Sequence, residues 1–229
     1  MEKITVLLQV KNAERYIKDC IESILNQSYP DFSLLVINDQ SCDHTEDIIL
    51  SYKDPRINLI QGRSGYINNL NYGIQLADCE YIARMDGDDI MHPSRLERQL
   101  TIMEEEHVDL CGTWMNIFGN ETYLAGKESG IIDDKLNKFF EGNFLYHPTI
   151  MFRKAFLTAH HLQYEQYFPT EDYKLWSEIA KKNGVIYVIP EPLLNYRRSN
   201  GQLSIAHRDE MSRQEWRIRN EIGAFLQTV

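Results

Sequence analysis

The stretch that decides the fold is YIARMDGDDIMHPSRL, residues 81–96. Tyr81, Ile82 and Ala83 open an apolar run that reads as a buried strand, and three aspartates (Asp86, Asp88 and Asp89) crowd into the four positions 86–89 just after it. Like charges this close repel, so the cluster calls for a compensating cation or ligand. Carboxylates on a strand-end loop are hard oxygen ligands. They suit Mg2+ or Mn2+, ions that commonly bridge a protein and a substrate phosphate. The plain structural alternative is a polar loop capping the next helix, which Asp89 and Ser94 stand close enough to do.

Outward from this stretch, strands and helices alternate. ITVLLQV (4–10), FSLLVIN (32–38), INLIQ (57–61) and EYIARM (80–85) are continuous apolar strands. Between the first two, Asn12 is the expected helix N-cap, followed by Tyr16, Ile17, Cys20, Ile21, Ile24 and Leu25 at helical spacing. Asp43-His44-Thr45-Glu46 has the form of a capping box, and residues 68–76 read as a further helix. This alternation predicts an α/β protein with a parallel sheet and right-handed crossovers, which binds ligands at the carboxyl ends of its strands. Asp39 and Asp86 both fall just past such ends.

The second half is less regular. Pro93 fits the first turn of a helix, 108–119 a strand, and Gly119-Asn120 a turn. A short helix is expected near 133–141, a strand near 149–153 and a helix over 172–182 that ends at Gly184. The last residues, 205–229, predict an amphipathic helix as a C-terminal extension to one compact domain, 1–204.

Composition narrows the function. The 229 residues are 43% apolar, enough for a sizeable core, and carry a net charge of −10. An acidic surface argues against nucleic acid as a partner but leaves room for an anionic ligand held locally through a metal. Cys20, Cys42, Cys79 and Cys111 lack C-x-x-C spacing, which points to a reduced, cytoplasmic chain without a zinc ribbon. The N-terminal apolar run is too short for a signal segment, and none approaches the roughly 18 residues of a membrane span.

Three rival motifs fail on detail. An EF-hand loop starting at Asp86 would place Glu97 twelfth, but Ile90 and His92 then occupy ligand positions. A dehalogenase-type phosphatase carries its Asp-x-Asp after the first strand, whereas three strands precede it here. A dinucleotide site needs G-x-G-x-x-G after the first strand, which here ends QVKNAE.

Taken in order, three segments resemble the inverting family-two glycosyltransferases of the GT-A fold. They are LLQVKNAERYIKDCIESILNQSYPDFSLLVINDQSCDHT, NLNYGIQLADCEYIARMDGDDIMHPSRLERQ, and HPTIMFRK with TEDYKLWSEIAKK. The resemblance covers about residues 4–204 and implies a mostly parallel central sheet flanked by helices, with a donor half (1–105) and an acceptor half (106–204). It further implies a nucleotide-sugar donor, most readily UDP-linked, a divalent metal, and a glycan or lipid-linked glycan acceptor from cell-surface polysaccharide synthesis. An inactive sugar-nucleotide-binding module and a Mg2+-dependent phosphohydrolase stand as alternatives.

The same resemblance assigns roles. Asp39 would hold the nucleobase, Asp88 the metal, and Asp86 the metal or ribose. Gln9, Val10, Arg63, Asn68 and Gly87 would complete the donor side, and Asp172 would be the general base. Glu171, His147, Trp176 and Arg198 would be acceptor-side or auxiliary residues. Bottom-up, a carboxylate at a helix start has its pKa lowered by the helix dipole, which weakens a base, and an apolar surround from Tyr167, Phe168 and Trp176 would offset this. Arg63 and Arg198 are phosphate partners by their fork geometry. Gln9 and Lys11 depart from the family's usual proline and tyrosine, Asn38 replaces an aspartate, and Ser199 stands where relatives carry a histidine, for which His207 is a substitute. Arginines interleaved with apolar residues in the C-terminal segment raise contact with an anionic membrane face, against packing on the domain itself or in a homodimer.

Overall fold

The computed structural model describes residues 2–63, 65–199 and 207–228. The expected boundary at 204–205 lies outside them. The chain builds a three-layer sandwich around one mixed sheet, ordered β3-β2-β1-β4-β9-β6-β10-β5. Strands β1 (Glu2–Val10), β2 (Phe32–Asn38), β3 (Ile57–Gln61) and β4 (Cys79–Asp86) run parallel. The short β9 (Met151–Arg153) runs antiparallel to both β4 and β6 (Leu110–Gly119) and joins the halves. Strand β10 (Ile186–Arg198) is parallel to β6 and pairs antiparallel with β5 (Ile90–Met91) and β8 (Gly130–Ile131), while β7 (Tyr123–Ala125) hangs on β6.

The period of two along each strand divides the core. Ile4, Val6, Leu8 and Val10 meet Ile17, Cys20, Ile21 and Ile24 of α1 (Ile17–Leu25), with α2 (Thr45–Ser51) and α4 (Arg95–Glu105) in the same layer. Leu7, Leu35 and Ile37 face the other way, toward α3 (Tyr66–Leu76), α5 (Lys135–Glu141), α6 (Lys154–Ala159), α7 (Glu171–Lys181) and α8 (Arg208–Leu226). Each such aliphatic contributes about 1.5–3 kcal/mol on burial.

Several local expectations are corrected. Asn12 is not a helix cap: its φ is 51°, and its Oδ1 accepts the Cys42 N–H at 2.9 Å, tying two loops together. Glu46 does not close a capping box; it accepts from Asn38 Nδ2 at 2.8 Å and Gln61 Nε2 at 2.7 Å. An amide at 38 is therefore the partner Glu46 needs, where a second carboxylate would repel it. Helix α4 starts at Arg95 rather than Pro93. Strand β10 is masked in the sequence by Pro190 and Pro192, which fall where its register against β6 shifts.

The register sets the site. Gln9 lies opposite Asp86, and Val10 opposite Asn38, so the carboxyl ends of β2, β1 and β4 finish level at one rim. Buried Arg95 reinforces that rim from below, donating to the main-chain oxygens of Arg84 at 2.9 Å and Ile150 at 3.2 Å.

Candidate active site

A cleft of about 1020 Å³ opens over this rim. Gln9, Val10, Asp39, Asp86, Gly87 and Asp88 line one side of it, and His147, Glu171 and Asp172 the other. Residues more than 80 positions apart in sequence thus share one cavity.

On the strand-end side, Asp39 is buried and held by two donors. Asn69 Nδ2 bonds Oδ1 at 2.8 Å, and Lys11 Nζ lies 3.5 Å from Oδ2. Asp86 is ion-paired with Arg84, whose other guanidinium nitrogen donates to Tyr66 Oη at 2.9 Å. Burial opposes the charge of Arg84, but Asp86 and Tyr66 outweigh it and keep the guanidinium protonated. Asp88 is partly exposed, and burial together with the Asp86 charge pushes its carboxyl up to about 6. Asp89 does not cap α4. It is fully buried, its Oδ1 accepts the Arg197 N–H at 2.8 Å, and its Oδ2 has no protein partner among the described residues. Burial, then Asp86 and Asp88, raises it well above the carboxylate range.

Across the cleft, Thr170 holds the N-cap position of α7 with its Oγ1 donating to the Tyr167 carbonyl at 3.0 Å, and Glu171 and Asp172 stand in the first turn of that helix. Asp172 Oδ2 accepts Asn143 Nδ2 at 3.1 Å. Burial raises Asp172 to about 6 despite the Tyr173 N–H, Arg84 and Asn143, so the surround outweighs the helix start. Glu171 is 4% exposed, its Oε2 has no partner among the described residues, and burial plus the neighbouring Asp172 raises it to about 8. His147 lies deeper, its Nε2 2.8 Å from Tyr164 Oη, held neutral first by burial and then by Arg84.

Five candidate residues do not line the cleft. Trp176 is 0% exposed and packs against His147, Phe152 and Tyr164, because its position on α7 turns it to the sheet. Arg63 stacks on Tyr72 at 4.0 Å and, with Asn68, borders a separate polar hollow beside α3. Arg198 leaves β10 on the side of β7, near Glu121 and Tyr123. His207 rests against the Phe168 ring, 5.1 Å between centroids, and does not line the cleft. Conversely, Arg84, Asn69, Asn143, Tyr66, Met211 and Glu215 were not foreseen as site residues. Arg84 was legible: i and i+2 on a strand share a face, so Arg84 had to stand beside Asp86.

Residues 5–162 match the sequence profile of glycosyl transferase family 2. The chain belongs to that family. An "Uncharacterized glycosyltransferase" of Haemophilus influenzae is 33% identical over 95% of this chain and 72% of its own length. The O-antigen biosynthesis glycosyltransferase WbnJ of Escherichia coli is 31% identical over 87% and 81%. Among solved structures, S. aureus TarS 1-349 in complex with UDP-GlcNAc superposes with a TM-score of 0.78 at 19% identity, over 97% of this chain and 66% of that one. The GT-A fold of this family-two glycosyltransferase therefore stands as expected, with the helix α8 at its C-terminal end.

In this family-two chain Asp86 and Asp88 are the residues of the cluster that could hold a divalent cation. Asp88 is desolvated, carries unfavourable charge beside Asp86, and faces the cleft. Among the described residues no group of three or more His, Cys, Asp or Glu forms a complete ligand set. That fits an ion held by one or two carboxylates and completed by substrate phosphates and water.

Proposed function

We propose that the protein is a metal-dependent, inverting hexosyl- or N-acetylhexosaminyltransferase. It moves a sugar from a nucleotide-diphosphate donor, UDP-linked, to a glycan hydroxyl in cell-surface polysaccharide synthesis. The observation that carries this is the single cleft with Asp39, Asp86 and Asp88 on one wall and Glu171-Asp172 on the other. The UDP-GlcNAc bound by the TarS structure supports a uridine donor.

Asp39 accepts from the nucleobase, positioned by Asn69. Asp88 and Asp86 would hold Mn2+ or Mg2+. When bound, that ion neutralises charge developing on the departing diphosphate. Asp172 takes the proton of the acceptor hydroxyl as its oxygen bonds to the anomeric carbon. The bond from that carbon to the diphosphate oxygen breaks from the opposite face, inverting the centre, and the nucleoside diphosphate leaves. A carboxylate near 6 is a stronger base than a free aspartate and is still ionised at neutral pH.

Residues 1–105 serve as the donor half and 106–204 as the acceptor half. A cytoplasmic location fits this donor chemistry. Contact with a membrane through α8 finds less support. Among the described residues, no helix is long and apolar enough to cross a membrane, Ile218 and Ile222 turn inward, and Arg213, Arg217 and Arg219 pair with glutamates.

Melting temperatures measured with UDP, GDP and TDP, each with and without Mn2+, test the reading. A metal-dependent rise from one of them, lost in Asp88→Ala, is expected. No rise from any removes the donor site. Release of nucleoside diphosphate from the sugar nucleotide separates a working enzyme from an inert binding module, and release of inorganic phosphate would mark a phosphohydrolase instead.

A further inference from the structure

We infer that helix α8 completes the acceptor side of the cleft and that this side selects a glycan whose attacking sugar carries neither phosphate nor carboxylate. The inference rests on the transferase reading above. Met211 and Glu215, one turn apart on α8, line the cleft. They are held there firmly. Ile218 and Ile222 are buried, and Glu221 accepts from Tyr167 Oη at 2.5 Å and Lys174 Nζ at 2.7 Å, two residues that flank the Glu171-Asp172 pair in sequence. Helix α8 is thus fastened to the segment that presents the carboxylates.

The charge distribution then decides what enters. Among the described residues, Lys11 and Arg84 are the lysine and arginine side chains that line the cleft. Lys11 faces Asp39, and Arg84 is engaged by Asp86 and Tyr66, all on the donor wall. On the Asp172 side the lining includes Asn143, His147, Tyr173, Met211, Glu171 and Glu215; burial holds His147 neutral, and the cation that acts on Asp172 is Arg84, already engaged by Asp86. Arg219 stands behind Glu215, its Nη2 3.9 Å from Oε2, and does not line the cleft. Residues 200–206, between Ser199 and α8 in sequence, include no ionisable side chain. An anionic group on the attacking sugar would meet Asp172 and Glu215 with no cation left to it, since Arg84 is already taken by Asp86 and Tyr66. Hydroxyls or an ammonium group find acceptors instead in the carboxylates of Asp172 and Glu215.

The test is a glycan array probed with the full chain in UDP and Mn2+, carrying neutral, amino, uronic-acid and phosphate-bearing terminal sugars. Retention of neutral or amino-ended glycans is expected, with acidic-ended ones at least about tenfold weaker. Glu215→Lys should bring the acidic-ended glycans up by a similar factor, and Glu215→Gln by less. Equal retention of acidic and neutral ends, an unchanged pattern in Glu215→Lys, or no retained glycan at all overturns the inference. The UDP-induced rise in melting temperature, read on the same samples, shows that each variant is folded. It also separates failure of the donor reading, which abolishes the rise, from failure of this inference, which leaves it intact.

Discussion

Arg84 and Asp86 stand side by side on one face of β4, the guanidinium buried and the carboxylate at the lip of the cleft. The two aspartates nearest the lip therefore differ in kind. Asp86 compensates a buried cation, whereas Asp88 adds charge that burial and Asp86 disfavour more than Arg84 and Arg197 offset.

Substitution should expose this difference in the ligand-free protein. Asp86→Asn leaves Arg84 buried without its counter-charge and should cost about 3 kcal/mol in urea unfolding, the low end for breaking a buried pair. Asp88→Asn removes repulsion and should leave stability unchanged or slightly higher. If both variants lose the same stability, the pairing of Asp86 with Arg84 is not what holds this rim together.

Asp172→Asn keeps the shape of the side chain and its contact with Asn143 but cannot take a proton. Transfer should fall by roughly 10²–10⁴-fold. The nucleotide-dependent rise in melting temperature should persist, since Asp172 lies across the cleft from Asp39 and Asp88. Loss of both together would point to misfolding rather than to a missing base.

The carboxylate pair also makes stability depend on pH. Glu171 and Asp172 sit at about 8 and about 6 in the folded chain, above the unfolded values of roughly 4. The folded state thus favours their protonated forms. Their contribution is complete below about pH 4 and is lost as pH rises through about 6 and then about 8. Asp43, Asp54, Glu178 and Glu221, held low, act oppositely and lose their contribution only in acid. Melting temperature should therefore decline between about pH 5 and 8.5, and Glu171→Gln should flatten the upper part of that decline. The transfer rate should rise with pH through about 6 as Asp172 ionises.

Asn69 is fully buried and bonds both Asp39 Oδ1 and the Arg63 N–H, the latter at 2.6 Å. Asn69→Leu would leave both groups without that partner. A loss of about 2–3 kcal/mol is expected, with nucleotide affinity at least about tenfold weaker because Asp39, the residue proposed to read the base, is no longer held. Calorimetric titration with UDP and chemical unfolding check the two effects separately.

What the sequence determined by itself is local and periodic. Strands β2 and β3 begin and end where their apolar runs do, at 32–38 and 57–61. A buried parallel strand needs an unbroken apolar run, and nothing in those segments competes with that signal. The position of Asp39 past the end of β2 followed from the same pattern, whereas Asp86 is the last residue of β4 rather than the first beyond it; the i, i+2 spacing of Arg84 and Asp86 was equally available.

The tertiary structure decided everything that depends on which distant surfaces meet. Strand β10 pairs with β6 in spite of Pro190 and Pro192, because the register shifts on either side of Pro192, which itself faces Trp114. Trp176 and Asp172 belong to one helix, yet one is core and the other lines the cleft, a division set by which face the sheet covers. Asn143 meets Asp172, Asn69 meets Asp39, and Met211 and Glu215 reach the cleft only because α7 and α8 pack together. Periodicity records which side of an element is apolar. It carries no record of the partner that side will find, and the charge and shape of this cleft arise from those partnerships.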